Sequence, residues 1–191
     1  MTLTHRFAEA VTYALELHRE QRRKISGVPY AAHLLGAAAN VLEYGGSEDE
    51  AIAALLHDAI EDQGGTAARR AIAERFGEPI AAIVHGCSDA DGSPKPPWQE
   101  RKEQYIAHLS TASPSIRLVC AADKLHNIRS LAADHRRLGD ALWPHFRGGR
   151  DGTLWYYRAI VDTLLSVDSR PIVHELAHAV TQFEMAVSSP A

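Results

Sequence analysis

A chain of 191 residues, 46% hydrophobic and 23% charged, can bury one core without disulfide or metal staples and is too ordinary in composition for a disordered or fibrous protein. Its net charge of −4 argues against a general nucleic-acid or membrane-surface binder, because either partner requires a basic face. Cys87 and Cys120 form neither a CxxC pair nor a framework, and no apolar run reaches signal-peptide or membrane-span length, so a cytoplasmic protein with no membrane partner is expected.

Helical periodicity runs along the whole chain. Phe7, Ala10, Val11, Ala14, Leu15 and Leu17 lay down an apolar stripe for a first helix that ends in the polar run HREQRRK. Ser26-Gly27-Val28-Pro29 reads as a turn, with Pro29 opening a second helix that runs to about Tyr44 and stops at Gly45-Gly46. Ser47 and Glu50 have the spacing of a capping box, starting a third helix that continues through AIAALL into HDAIED. Gly64-Gly65 ends it, and Thr66 is the expected cap of the next. The segment SDADGSPKPP, Ser88 to Pro97, reads as a long loop of the lid or binding kind. Helical pattern resumes at WQERKEQYIAHL and again from about Ser115 to Ala133. FRGGRDGT reads as a turn before a helix from Leu154 to Ser166, and Pro171 opens the last one. No run alternates with period two for long enough to argue a strand. The expected class is all-α, in a single domain over residues 1–191.

Polar groups set into apolar helices single out a candidate metal centre, because burying them is costly without a partner. LLHDAIED, residues 55–62, places His57 beside Asp58, with Glu61 and Asp62 each four residues after one member of the doublet and so one turn on. PYAAH puts His33 early in the second helix. AADKLHNIRS, residues 121–130, sets Asp123, His126, Asn127 and Ser130 on one face of an otherwise apolar helix. His33, His57, Asp58 and Asp123 together offer two imidazoles and two carboxylates. Such a mixed nitrogen and oxygen set favours Mn²⁺, Fe²⁺ or Mg²⁺ over a structural zinc, and four protein ligands leave open positions for water and substrate.

The pattern H…HD…D, with an ED pair after the doublet, resembles the HD-superfamily metal-dependent phosphohydrolases. More closely, it is similar to the hydrolase domain of the RelA/SpoT family and the small alarmone hydrolases. The matching stretches are RRKISGVPYAAH (22–33), AALLHDAIED (53–62), FGEPIAAIVHGCSD (76–89) and AADKLHNIRSL (121–131), in family order over about residues 5–135. The resemblance implies an HD-domain helical bundle, with residues 136–191 as C-terminal helices packed on it. It implies Mn²⁺-dependent removal of the 3′-pyrophosphate from ppGpp or pppGpp, with His33, His57, Asp58 and Asp123 as ligands and Glu61 and Asp62 orienting and activating the attacking water. Arg23 and Lys24 match the basic pair that contacts the nucleotide and its phosphates, and Asn127 and Ser130 fall where the family lines the nucleotide pocket. The chain departs from the family pattern in an added Ile25, in Leu34 after the first histidine, in Lys124 where arginine is common, and in ERKEQY (100–105) as the nearest counterpart of EN-x-RK. The expected partner is a small-molecule nucleotide, held by a small basic mouth that also includes Lys102 and Arg129 as weaker candidates. Two other readings stay open at this stage: a phosphohydrolase acting on another nucleotide, and a non-catalytic nucleotide-binding module.

One motif competes with this site. HELAH at 174–178 matches the H-E-x-x-H of zinc proteases. A protease of that kind needs a third ligand downstream; Glu184 lies at one such offset, but Thr181 stands where the chain-reversing glycine is required. The stretch is therefore expected to be a helix packed on the core, where loss of His174 and His178 lowers stability and not catalysis. It is also the candidate surface for a homo-oligomer contact. Tyr156 and Arg158, in the segment LWYYR, are minor pocket candidates.

Overall fold

Helix formation follows the capping and apolar signals closely, and each helix contributes one face to a shared interior. The structure is a computed structural model that describes residues 2–89 and 96–188. Ten α-helices occur among the described residues: α1 (His5–Leu17), α2 (Ala31–Glu43), α3 (Glu48–Leu56), α4 (Ala59–Gln63), α5 (Gly65–Phe76), α6 (Glu78–Cys87), α7 (Trp98–Thr111), α8 (Pro114–Leu138), α9 (Gly149–Val167) and α10 (Pro171–Ser188). A 3-10 segment, Gly139–His145, joins α8 to α9. No strand forms among these residues; one isolated bridge pairs Arg22 with Pro29. Most of the Ser88–Pro97 lid expected from the sequence lies outside the described residues.

At the centre lie α3 and α8. Ala51 through Leu56 are all buried, so α3 presents apolar surface on every side, and α2, α6, α8 and α1 pack around it. Each fully buried Leu or Ile here contributes about 1.5–3 kcal/mol. The helix starts as expected: Ser47 Oγ accepts from Glu50 N, and Glu50 Oε2 accepts from Ser47 N at 2.7 Å. The 25-residue α8 packs against α2, α3, α6, α9 and α10, with Asn40 of α2 donating to Ala122 O at 2.9 Å.

Four local expectations are corrected. The third helix does not run unbroken into HDAIED. His57 Nδ1 lies 2.8 Å from Ala54 O, the carbonyl that residue 58 would use in a continuous helix, so α3 ends at Leu56 and α4 begins at Ala59. Both doublet residues keep right-handed backbone angles, and Asp62 N donates to Asp58 O at 2.9 Å, so the one-turn offset of the ED pair survives. Thr66 is inside α5, whose cap is Gly64 at φ 138°, a conformation a side chain would strain. The long helix extends past Ala133 to Leu138. Finally, FRGGRDGT is not only a turn, since α9 already begins at Gly149. The small residues there admit the Trp98 ring, which a Cβ on Gly148 would approach to 2.6 Å.

Between α1 and α2 the chain makes a tight reversal. Arg23 N donates to Val28 O at 2.9 Å and Tyr30 N to Gln21 O at 3.0 Å, with Gly27 at φ 69°. This reversal aims Arg23 toward Asn127 of α8 and Lys24 toward His145 at the end of the 3-10 segment.

Candidate active site

Three helices bring the proposed ligands together. His33 enters from the first turn of α2, His57 and Asp58 from the break between α3 and α4, and Asp123 from the middle of α8. His33 is 1% exposed, His57 3% and Asp123 5%. His33 Nε2 lies 3.2 Å from His57 Nε2, 3.2 Å from Asp123 Oδ1 and 3.5 Å from Asp58 Oδ2. His57 Nε2 lies 3.0 Å from Asp58 Oδ2 and 3.5 Å from Asp123 Oδ1. With bonds near 2.1 Å, neighbouring ligand atoms around one ion stand about 3.0 Å apart in an octahedron and about 3.4 Å in a tetrahedron. The donor set and spacing fit a divalent cation. Among the described residues, His33, His57 and Asp58 are the one group of three such side chains whose ligand atoms all lie within 4.8 Å of one another.

The electrostatics lead to the same conclusion. Burial works against ionisation of Asp58, yet His57 and His33 hold its carboxyl well below the usual range; Asp123 is held low against burial by Lys124 and His57. Conversely, the two carboxylates push His57 well above the ordinary imidazole value in spite of its burial. Two buried carboxylates thus demand positive charge at one point, and without a cation a proton on His57 supplies it.

Side chains around the cluster hold it in place. Tyr30 Oη donates to Asp58 Oδ2 at 2.7 Å, and Asn127 Nδ2 and Lys124 Nζ each donate to Asp123. Of the ED pair, Glu61 lines the chamber at the ligands, where Arg101 Nη1 reaches its Oε1 at 3.5 Å. Asp62 is exposed and accepts from Gln21 Nε2 at 2.8 Å, outside that chamber.

Two connected spaces open from here. A chamber of about 280 Å³ is lined by Asp58, Glu61, Asp89 and Asp123 together with Lys24, Arg101, Lys102 and Lys124. It shares Lys24, Trp98, Lys102, Lys124, Phe146, Arg147 and Tyr156 with a larger cavity of about 450 Å³. The larger cavity adds Arg22, Arg23, Tyr30, Asn127 and Tyr157, making it cationic and aromatic. Arg23 Nη2 donates to Asn127 Oδ1 at 2.8 Å, and Lys24 Nζ donates to His145 O.

Sequence candidates divide accordingly. Arg23, Lys24 and Asn127 line the cavity, whereas Ser130 does not; Leu131 and Asp134 form that part of the α8 wall. Tyr156 lines both spaces, while Arg158 is exposed and pairs with Glu184 at 2.7 Å. Lys102 is in the site, but Arg129 is outside it and donates to Glu175 at 2.9 Å. His174 and His178 are exposed on α10, and packing there is carried by Ile172, Val173, Leu176, Val180, Phe183 and Val187.

Sequence reasoning missed Arg101 and Asp89. Arg101 is 7% exposed and pairs with Asp89, which Lys102 also contacts; burial opposes ionisation of Asp89, but the two cations bring its pKa down to about 2. A signal was present: Arg101, Tyr105 and Leu109 form the buried face of α7, so a charge occupies an apolar position of the stripe.

The HD domain family profile matches residues 10–154, which is most of the chain and takes in every proposed ligand of the cluster. The chain belongs to the HD domain family. HD domains hold a divalent metal, and the clustered His33, His57 and Asp58 fit that requirement. Within the family, the chain is 39% identical over 126 residues to the guanosine-3′,5′-bis(diphosphate) 3′-pyrophosphohydrolase MESH1 of Danio rerio, covering 64% of this chain and 67% of that one. It is 37% identical over 123 residues to the guanosine-3′,5′-bis(diphosphate) 3′-pyrophosphohydrolase of Aquifex aeolicus, covering 64% of this chain and 17% of that longer protein. A solved structure, described as a metazoan ortholog of SpoT that hydrolyzes ppGpp and plays a role in starvation responses, superposes with a TM-score of 0.79 at 26% identity, covering 95% of this chain and 97% of its own. The family match runs past residue 135 into the first turns of α9, taking in Phe146 and Arg147 of the cavity wall and stopping just short of Tyr156 and Tyr157. No helix among the described residues is long and apolar enough to cross a membrane.

Proposed function

We propose that this HD protein is a metal-dependent hydrolase that removes the 3′-pyrophosphate of guanosine tetra- or pentaphosphate, giving GDP or GTP and pyrophosphate. The observation that carries the reading is the junction of the ligand cluster with a cationic, aromatic cavity of nucleotide size. The activity named for the relatives supports the same substrate.

His33, His57, Asp58 and Asp123 would hold the cation, and the mixed donor set suits Mn²⁺, with Fe²⁺ and Mg²⁺ as alternatives. When bound, the ion lowers the pKa of a water and polarises a phosphoryl oxygen. Glu61 is the chamber carboxylate that accepts the proton as the water oxygen attacks the phosphorus on the ribose 3′-oxygen. The bond from phosphorus to the 3′-oxygen breaks, pyrophosphate departs, and the 3′-oxygen takes up a proton. Asp62, outside the chamber, holds the side chain of Gln21, which lines the larger cavity. Arg23, Lys24, Lys102 and Lys124 offset the charge of a polyphosphate, and Tyr30, Trp98 and Tyr157 offer surfaces to a base and ribose. A net charge of −4 with Arg22, Arg23, Lys24, Lys102, Lys124 and Arg147 lining one cavity supports a small polyanion over a nucleic acid. The two free cysteines accord with work in the cytoplasm.

The test is a panel of nucleotides incubated with purified protein and Mn²⁺. Equimolar GDP and pyrophosphate from ppGpp, with little release from deoxynucleotides or 2′-phosphorylated dinucleotides, is the expected result. Turnover of those others alone would assign a different substrate, and binding without turnover would remove the enzyme reading.

A further inference from the structure

The Nδ1 atoms of His33 and His126 lie 3.0 Å apart, so one imidazole must donate to the other. His57 offers the comparison. Its Nδ1 faces Ala54 O at 2.8 Å, and a carbonyl only accepts, so His57 keeps a proton on Nδ1, and Nε2, which faces the carboxylates, is the nitrogen left to meet a cation. Among the described residues, no carbonyl takes that place for His33. Its Nε2 stands in the same cluster, 3.2 Å from Asp123 Oδ1 and from His57 Nε2, and can take a cation only if its own proton is also on Nδ1. The acceptor within reach is His126 Nδ1.

His126 occupies a built seat. It rises from α8 three residues after Asp123, and its ring lies 5.0 Å from that of His33, centroid to centroid. Gly36, one turn after His33 on α2, leaves the room for it. A Cβ on Gly36 would lie 2.1 Å from His126 Cδ2 and 2.4 Å from its Nε2. Glycine is normally disfavoured in a helix interior, and here any larger residue would evict the imidazole.

We propose that His126 is a positioning residue of the metal centre: its Nδ1 accepts the Nδ1 proton of His33, fixing the tautomer that leaves His33 Nε2 free for a divalent cation, with Gly36 as the opening that admits the ring. The proposal rests on the reading of His33 as a ligand and is independent of which nucleotide is hydrolysed.

Its test uses the intact protein and no nucleotide. In calorimetric titrations with Mn²⁺, His126→Leu and Gly36→Ala should weaken binding about 10- to 100-fold, the usual effect of losing the partner of a ligating histidine. His126→Asn, whose side-chain oxygen can stand where Nδ1 stood, should recover most of that loss. In the Zn²⁺-loaded wild type, long-range ¹H–¹⁵N spectra should show His33 protonated at Nδ1. Wild-type affinity in His126→Leu, no recovery in His126→Asn, or a proton on His33 Nε2 in the loaded protein overturns the proposal. If His126→Leu does not fold, the Asn variant and the wild-type spectra still decide it. A His33→Ala control with unchanged Mn²⁺ affinity would overturn it by removing its premise, and a failure of ppGpp hydrolysis would leave all these readouts standing.

Discussion

The phenol of Tyr30 donates at 2.7 Å to Asp58 Oδ2, the same oxygen that stands 3.0 Å from His57 Nε2. The Pro-Tyr step before α2 therefore fixes the orientation of a carboxylate from a different helix. Tyr30→Phe keeps the ring and its stacking on His18, with centroids 5.5 Å apart, and removes only that hydrogen bond. Mn²⁺ affinity measured by calorimetry should fall about tenfold, at the lower end for a lost outer partner, because the other contacts to Asp58 remain.

The two carboxylates after the doublet should differ in effect. Glu61 lines the ligand chamber and Asp62 is held outside it by Gln21. Glu61→Gln is expected to reduce kcat on ppGpp by about 10²- to 10⁴-fold, as for loss of a general base, with metal affinity little changed. Asp62→Asn should cost roughly tenfold or less. Equal losses would show that the pair acts as a unit.

Arg101 joins α7 to the chamber by pairing with Asp89 and reaching Glu61. Replacing it by alanine leaves two buried or half-buried carboxylates short of a partner, although Lys102 still pairs with Asp89. A loss of about 3 kcal/mol is expected in urea unfolding, at the low end for breaking a buried pair. Arg101→Ala unfolding at the wild-type midpoint would show the pair to be idle.

Acid should act through Asp89. Its pKa of about 2 lies below the ordinary 3.8, so the stabilisation it provides is complete above pH 3.8 and disappears as pH falls through about 2. The shift corresponds to on the order of 2 kcal/mol. Asp89→Asn should be less stable than wild type at neutral pH, and the difference should shrink steadily between about pH 4 and pH 2 in equilibrium unfolding.

HELAH supplies the control. With His174 and His178 both exposed, the double alanine variant should change stability by no more than about 0.5 kcal/mol and leave kcat unaltered. The expectation that these histidines are needed for packing is therefore replaced: that role belongs to their neighbours Leu176 and Val180. A Tm shift of several degrees, or lost turnover, would reverse this.

What the sequence made legible is local or anomalous. Capping chemistry at Ser47 and the apolar stripes fixed helix positions, because both act within a few residues. The ligand cluster was readable because His57, Asp58 and Asp123 break apolar runs, and an isolated charge in a core requires a reason. Less visible was anything settled by contact between distant helices. Tyr30 and Arg101 look ordinary until the start of α4, with Asp58 and Glu61, is packed against them. Ser130 illustrates the reverse error: four polar residues on one helix face divide when α2 claims His126, leaving the cavity wall to Asn127 and Leu131. The glycine-rich FRGGRDGT suggested only a turn, because nothing local announces that Trp98 will lie on it.

The division of labour along the chain has a further consequence. All four proposed ligands lie before residue 124, yet Phe146, Arg147, Tyr156 and Tyr157, which close the cavity, come from the 3-10 exit and α9. The shortest stretch that could chelate an ion and the shortest stretch that could enclose a nucleotide are thus different lengths of one polypeptide. Catalytic power and substrate choice can therefore change at different rates as such chains diverge, the first tied to the early helices and the second shared between them and the late ones.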